Sequence, residues 1–598
     1  MVEEEEKAGL AGAVDEGVRP TAASTSLGAQ PALGGALAMS ALLAACGGGG
    51  GGSDGGSGGS TGGNSSGSLS ALANSPTATG YAYASAKSDT EAARFLLQAQ
   101  GYATDGDIAA VRSLGYLPWL AQQFDAAPTQ TGWDWFNSKY QGLSNFGFDN
   151  MIWSQLMAAP DGMRKRMALA LSEIFVVSGT DIGSSWPNHM MAGYWDTLAT
   201  GVTGNFRDLL EAISLNPAMG YYLNTRGNQK ENAQGRQPDE NYAREVMQLM
   251  TIGLVQLDGK GQPRLGADGS KLDSYTQDDV TNLARVFTGY DLNVAAGEEN
   301  ASISNAWTTR PMALFPARHS TLAANFLGTS VPANTDGKTA LKIALDALAG
   351  HANVGPFIGR QLIQRLVTSN PSPDYVGRVA AVFENNGAGV RGDMRSVFAA
   401  VLLDNEARSP AGLADPNFGR LREPMLRLVQ WGRTFGISSA LGTWAIGNTS
   451  DTANSLGQSP LRSPSVFNFF RPGYVPPSTA MAGSGMVAPE FQLVNETSVG
   501  GYLNFMQGRL PVTAGFNSKD VIASYASEKN LVLDASALVD RLNLLLCAGQ
   551  LSKASTDLMK SALATRALTA ASPDTNKKNG VYAAVLLVMG CPEYLVQK

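Results

Sequence analysis

From Asp89 onward the apolar residues of this chain return every three or four positions, the spacing that lines one face of an α-helix. The first such run, AARFLLQAQG, follows Ser88-Asp89-Thr90-Glu91, where a capping side chain precedes the helix, and it closes at Gly101. The same grammar predicts helices over 162–177, 205–214, 241–253, 277–287, 337–349, 356–367, 373–385, 393–404, 421–435, 535–546, 555–568 and 581–589. Strand signals concentrate in 254–275, where Asp258-Gly259 and Asp268-Gly269 supply turn chemistry around short extended pieces and predict a small hairpin. No fixed-period repeat runs through the chain. The expected fold is all-α: a multi-helix globular body with irregular loops and at most a small β-hairpin.

Ahead of that body the pattern changes twice. Residues 32–45 read ALGGALAMSALLAA and end at Cys46, and Leu43-Ala44-Ala45-Cys46 fits a lipobox whose cysteine accepts lipid. So short a segment cannot span a bilayer, so residues 1–46 are expected to be a signal-like segment, removed at Cys46. Glu3 to Glu6 stand where export signals carry positive charge, and translation is therefore expected to start further downstream. Residues 47–87 begin with Gly, Ser, Thr and Asn almost exclusively and are expected to be a flexible tether. Residues 88–598 then form one large helical domain, long enough for two lobes of about 88–370 and 371–598. The expectation is an exported protein held at the cell envelope, outer membrane or periplasm, touching the membrane through its lipid anchor only. Gly47, with no Asp at that place, matches delivery to the outer membrane.

Composition sharpens this picture. Charged residues make up 16% of the chain against roughly 25% in ordinary soluble proteins, so surface polarity must come largely from Ser, Thr, Asn and Gln. The net charge of −7 and the lack of any Lys/Arg run remove the electrostatic footprint of a nucleic-acid binder. Export would favour a disulfide between Cys547 and Cys591, which end the apolar runs LNLLLC and AAVLLVMGC. Two separately buried thiols are the alternative.

Candidate chemistry centres on Asp239 to Met250. On a helix, Glu240, Arg244 and Gln248 fall in one row and Asn241 with Glu245 in the next, opposite an apolar side. Glu240 and Glu245 are candidate acid/base groups and Arg244 a group that orients an anion; a solvated face with Glu240–Arg244 pairing is the plain alternative. The following helix opens at Thr276, with Asp278 and Asp279 suited to the helix dipole and Arg285 to pairing with a neighbouring acid. His189, His319 and His351 are too scattered for zinc, and His319, beside Arg318, is the best histidine for acid/base work. No metal site or cofactor is expected. The letters GxGxxG at Gly387–Gly392 follow a helix and predict a helix-to-helix loop. The aromatic, proline-rich stretch 463–474 predicts an ordered loop that either plugs the core or walls a cleft.

Several segments together resemble the bacterial family called domain of unknown function 1800: RKRMALALSEIFVVS from Arg164, NPAMGYYL from Asn216, ENYAREVMQLMTIGL from Glu240, YTQDDVTNLARVFTGY from Tyr275, RHS from Arg318 and SPSVFNFFRPGYVPP from Ser463. The similarity runs from about Ala92 to near the C-terminus. This chain matches the family at Glu240 to Glu245 and at His319, but carries Asp239 where Asn is usual, Met250 where many members have His, and Ser320 where Asp is frequent. The resemblance implies an exported helical protein with no settled activity, often encoded beside sulfatase-like proteins. Three functions follow as expectations: an envelope lipoprotein that handles surface material with a sulfatase-like partner through a cleft bordered by Glu240, Arg244, Glu245 and His319; a hydrolase using a carboxylate and His319; or a structural or adhesive surface protein. Asn241, Gln248, Asp278, Asp279, Arg285 and Arg318 are the expected binding residues around that cleft.

Overall fold

The computed structural model describes residues 82–598 apart from 128, 140–146, 181, 185, 297, 299–304, 513, 514 and 517–519. Cys46 and most of the glycine-rich stretch lie outside the described residues. Where the chain becomes described, Ala82 N–H reaches Asn405 Oδ1 at 2.9 Å and Ala84 carbonyl accepts from Tyr116 N–H at 3.2 Å. Residues 82–87, expected in the tether, therefore belong to the body. Ser88 then caps the helix Asp89–Ala99 by accepting the Glu91 N–H, and Gly101, at φ +86°, ends it.

Among the described residues there are twenty-five α-helices and four two-stranded antiparallel pairs, so the architecture is mainly helical. No helix among them is long and apolar enough to cross a membrane. All belong to one compact unit, Ser60–Lys598. The helix Val354–Leu366 packs on both Pro373–Glu384 and Met394–Leu403, so no lobe boundary falls near residue 370. The 254–275 segment folds back twice, with bridges Val255 to Asp273, Leu257 to Pro263 and Leu265 to Lys271. Asp258 and Asp268 shape the two turns by accepting N–H bonds from Lys260 and Gln262, and from Ser270.

Inside the core, five segments meet through charge. Arg166 lies on the helix Gly162–Ser172 and Glu173 follows it; Arg365 comes from Val354–Leu366, Arg420 from the strand Arg420–Leu421, Glu423 from the start of Pro424–Thr434, and Glu490 from the 3-10 turn Pro489–Leu493. Arg420 bridges Glu423 at 2.6 Å and Glu490 at 2.9 Å with no exposure, and Arg365 Nε stands 3.2 Å from Glu173 Oε2. Gln458 donates to Glu423 at 2.7 Å, and Arg166 donates to the Arg365 carbonyl. Burial, and next the Glu423 charge, push the Glu173 carboxyl well above the ordinary glutamate range against the pull of Arg365 and Arg166. For Glu423 burial acts in the same upward sense, but Arg420 and Arg166 outweigh it and hold that carboxyl low. Of the two, Glu173 is thus the carboxyl that holds a proton and Glu423 the one that stays ionised.

Cys547 ends the helix Ala535–Cys547 and Cys591 precedes Pro592–Leu595. Both stand as free thiols, the first buried and the second half-buried, in place of the expected disulfide. Burial pushes both thiols up in pKa, which keeps them protonated and unreactive.

Because Glu173 binds its proton more tightly folded than at the ordinary value of 4.5, folding takes up a proton there. Its contribution to stability is full below about 4.5 and falls as pH rises, by at most about 1.4 kcal/mol per pH unit. Urea unfolding across this range should show that slope in the wild type and lose it in Glu173→Gln. Glu423→Gln, which strips Arg420 of a buried partner, should cost about 3–5 kcal/mol; equal effects of the two variants would refute this assignment of the proton.

Candidate functional site

The helix expected over 241–253 is shorter, Asn241–Gln248, because Gly253, at φ +74°, turns its N–H back to the Met247 carbonyl at 3.0 Å. Glu240 precedes the helix and its carboxylate accepts from Arg244 Nη2 at 3.2 Å, Gln277 Nε2 at 2.8 Å and Thr281 Oγ1 at 2.7 Å. Arg244 Nη2 also donates to Gln277 Oε1 at 3.0 Å. These half-exposed groups staple the helix to its neighbour Gln277–Val286, an arrangement worth about 1 kcal/mol or less for its ion pair. Gln248 accepts from the Tyr275 hydroxyl at 3.1 Å, and Glu245 is buried nearby. Burial first, opposed by Arg244 and reinforced by the Glu245 and Asp273 charges, raises that hydroxyl to about 12. Asn241 is held through its backbone N–H by Asp239 Oδ1 at 2.8 Å.

On the second helix, Thr276 and Asp279 form a reciprocal capping box, and Asp279 also accepts the Leu327 N–H at 2.7 Å. Burial disfavours its charge, but the N–H of Leu327 and the hydroxyl and N–H of Thr276 outweigh that and hold the carboxyl below the usual range. Asp278 is exposed in the first turn. Among the described residues Arg285 meets no acid; it donates to Asn282 Oδ1 at 2.7 Å and the Ala323 carbonyl at 2.9 Å, which serve it as neutral acceptors.

His319 sits elsewhere. Its ring is buried, with Nδ1 2.9 Å from the Thr288 carbonyl and 3.3 Å from Thr288 Oγ1, so Nδ1 carries a proton. Close approach is possible because the neighbours are Gly289 and Gly337: a Cβ on either would lie 3.0–3.2 Å from His319 atoms. Glu240 and His319 share no hydrogen bond, and the acid/base pair expected of them is not assembled. Ser320 donates to both oxygens of Glu231 at 3.0 Å, so a carboxylate does stand at this place, brought by another segment. Arg318 pairs with Asp291 at 2.9 Å, and Arg226 approaches the same carboxylate at 3.4 Å. Met250 is buried in the core.

What joins the two groups is the long connection between the helices Pro217–Tyr222 and Asn241–Gln248. It carries almost no apolar residues yet has a fixed shape. Buried Asn228 clasps its far end, accepting the Asp239 N–H at 2.9 Å and donating to the Asp239 carbonyl at 3.2 Å. The Gly227 N–H reaches the Tyr290 carbonyl at 2.8 Å, Gly289 N–H the Asn228 carbonyl at 2.8 Å, and Lys230 N–H the Arg318 carbonyl at 2.9 Å. Asn232 closes the tip by accepting from the N–H groups of Gln234 and Arg236. The folded connection encloses an open cleft of about 410 Å³, lined by the amides Asn224, Asn228, Gln229 and Gln237 and the charged groups Arg226, Arg236 and Asp239. No apolar side chain lines it.

The family model described as protein of unknown function (DUF1800) matches residues 94–596. The chain belongs to this family. No curated protein and no solved structure matches it. The DUF1800 body thus presents a polar cleft beside the 241–248 helix rather than a convergence of Glu240 and His319 upon one point. Apart from Asp239, sequence reasoning overlooked the cleft residues, since none sits in a periodic element. The available signal was the length of the connection: unstructured joins beyond about 12–15 residues are uncommon in compact domains and are usually functional.

Asn228→Ala should unfasten this connection without unfolding the body. Amide exchange at Asp239, read by mass spectrometry, should speed up at least tenfold, while exchange in the helix Val354–Leu366 stays unchanged; unaltered exchange at Asp239 would show that the clasp is dispensable.

Proposed function

We propose that this DUF1800 protein is an exported, lipid-anchored envelope protein that works with a sulfatase-like partner on cell-surface material, which it engages through the cleft formed by residues 224–239. The observation that carries this view is the cleft itself: an open surface whose side chains are all polar or charged, apart from Gly227, suits capture of a hydrated polymer better than enclosure of a small apolar molecule. The lipobox ending at Cys46 and the glycine-rich stretch after it support an anchored body carried above a membrane on several acyl chains. Family resemblance supports the partner. For a hydrolase resting on Glu240 and His319 the geometry offers less, since their hydrogen bonds run to different groups.

Metabolic labelling with an alkyne palmitate, followed by membrane fractionation and cross-linking in intact cells, tests the proposal. Wild-type protein should carry label, sediment with membranes and cross-link to a protein of sulfatase fold. Cys46→Ser should lose the label and leave the membrane fraction. An unlabelled wild type in soluble cell contents would end the anchored reading, and cross-links that never include a sulfatase-fold protein would end the partnership.

A further inference from the structure

We infer that the cleft of residues 224–239 recognises an acidic oligosaccharide, a sugar chain bearing carboxylate or sulfate groups; this rests on the proposal that the protein engages surface polymer there. The first argument is unused hydrogen-bonding capacity. Among the described residues the side-chain amides of Asn224 and Gln237 have no hydrogen-bond partner, and Gln229 uses only its oxygen, which accepts from Arg236 Nη1 at 3.0 Å. An amide presents donor and acceptor side by side, which matches vicinal hydroxyls.

The second argument is charge. Two guanidinium groups, Arg226 and Arg236, line the cleft with one carboxylate, Asp239, whose Oδ1 is already held by the Asn241 N–H, while Asp291 beside Gly227 is shared by Arg226 and Arg318. Arg226 lies over the Tyr221 ring at 4.5 Å and approaches Asp291 through Nε at 3.4 Å, and among the described residues its terminal nitrogens make no hydrogen bond. Arg236 uses Nε on the Lys230 carbonyl at 2.8 Å and Nη1 on Gln229, leaving Nη2. Planar donors held in this way suit carboxylate and sulfate oxygens, which take two parallel N–H bonds. The lining itself carries two arginines to one acid, on a chain of net charge −7.

The third argument is what the cleft lacks. No apolar or aromatic side chain lines it to reward a lipid, a peptide side chain or a stacked nucleobase. A volume of about 410 Å³ accommodates a short sugar segment while its open side lets a polymer continue in both directions.

The test is isothermal titration of the full chain with three tetrasaccharides: hyaluronan, acidic through carboxylate alone; carrageenan, acidic through sulfate alone; and cellotetraose, which is neutral. At least one acidic probe should bind ten or more times more tightly than cellotetraose, with affinity falling as salt rises. Whichever acidic probe binds identifies the group recognised. Arg226→Ala and Arg236→Ala should each weaken that binding at least tenfold, and Gln237→Ala about threefold, with unchanged melting temperatures. Equal binding of cellotetraose, no binding of either acidic probe, or full binding by both arginine variants would overturn the inference. A palmitate-labelled protein that cross-links to its sulfatase-fold partner but ignores all three sugars would remove this ligand and leave the proposed function standing; acidic-sugar binding by an unlipidated, partnerless protein would do the reverse.

Discussion

The fold depends on a cluster of three arginines and three glutamates sealed from water at the junction of five segments. Bringing Arg166, Arg365 and Arg420 inside is costly; Arg420 meets the carboxyls of Glu423 and Glu490, Arg365 takes the carbonyl and carboxyl of Glu173, and Arg166 takes the Arg365 carbonyl, all from segments far apart in sequence. Packing of apolar surface would tolerate many small shifts of one helix over another. Charge does not, because displacing any one segment strips a buried guanidinium or carboxyl group of a partner where water cannot reach it. The cluster therefore specifies which segments meet, while the surrounding apolar core supplies most of the driving force.

Much of the helical framework was legible from apolar spacing. Amphipathic helices with a wet face, such as Phe206–Ser214 and Gln277–Val286, appear within a residue of where the pattern puts them, with Asn205 and Thr276 as caps. Phe148–Ala158 and Pro187–Gly201 escaped notice for the opposite reason: buried on nearly every side, they show no polar face against which a period can be counted. The core ion cluster was equally hidden, because Arg166 and Glu173 look like surface residues until the segments that cover them are known.

The site was legible only in part. Spacing alone put Glu240, Arg244 and Gln248 in one row, and the row exists, tied to Gln277, Thr281 and Tyr275. It could not say that His319 turns inward to Thr288, since that follows from contacts between residues some thirty positions apart. Nor could it say that Glu231 delivers a carboxylate to Ser320. Tertiary substitutions of this kind are invisible to local pattern, which registers a missing acid at one position but not its replacement from another strand of the chain.

The Asn228 clasp has a consequence for how such a surface diversifies. The bends of the 224–239 connection are set by one buried amide, by main-chain bonds and by Asn232, none of which requires a particular residue at 229 or 237. Shape and chemistry are thereby separable. A lineage can exchange the outward side chains while inheriting the same scaffold, much as an antibody loop changes its target without disturbing the framework beneath it.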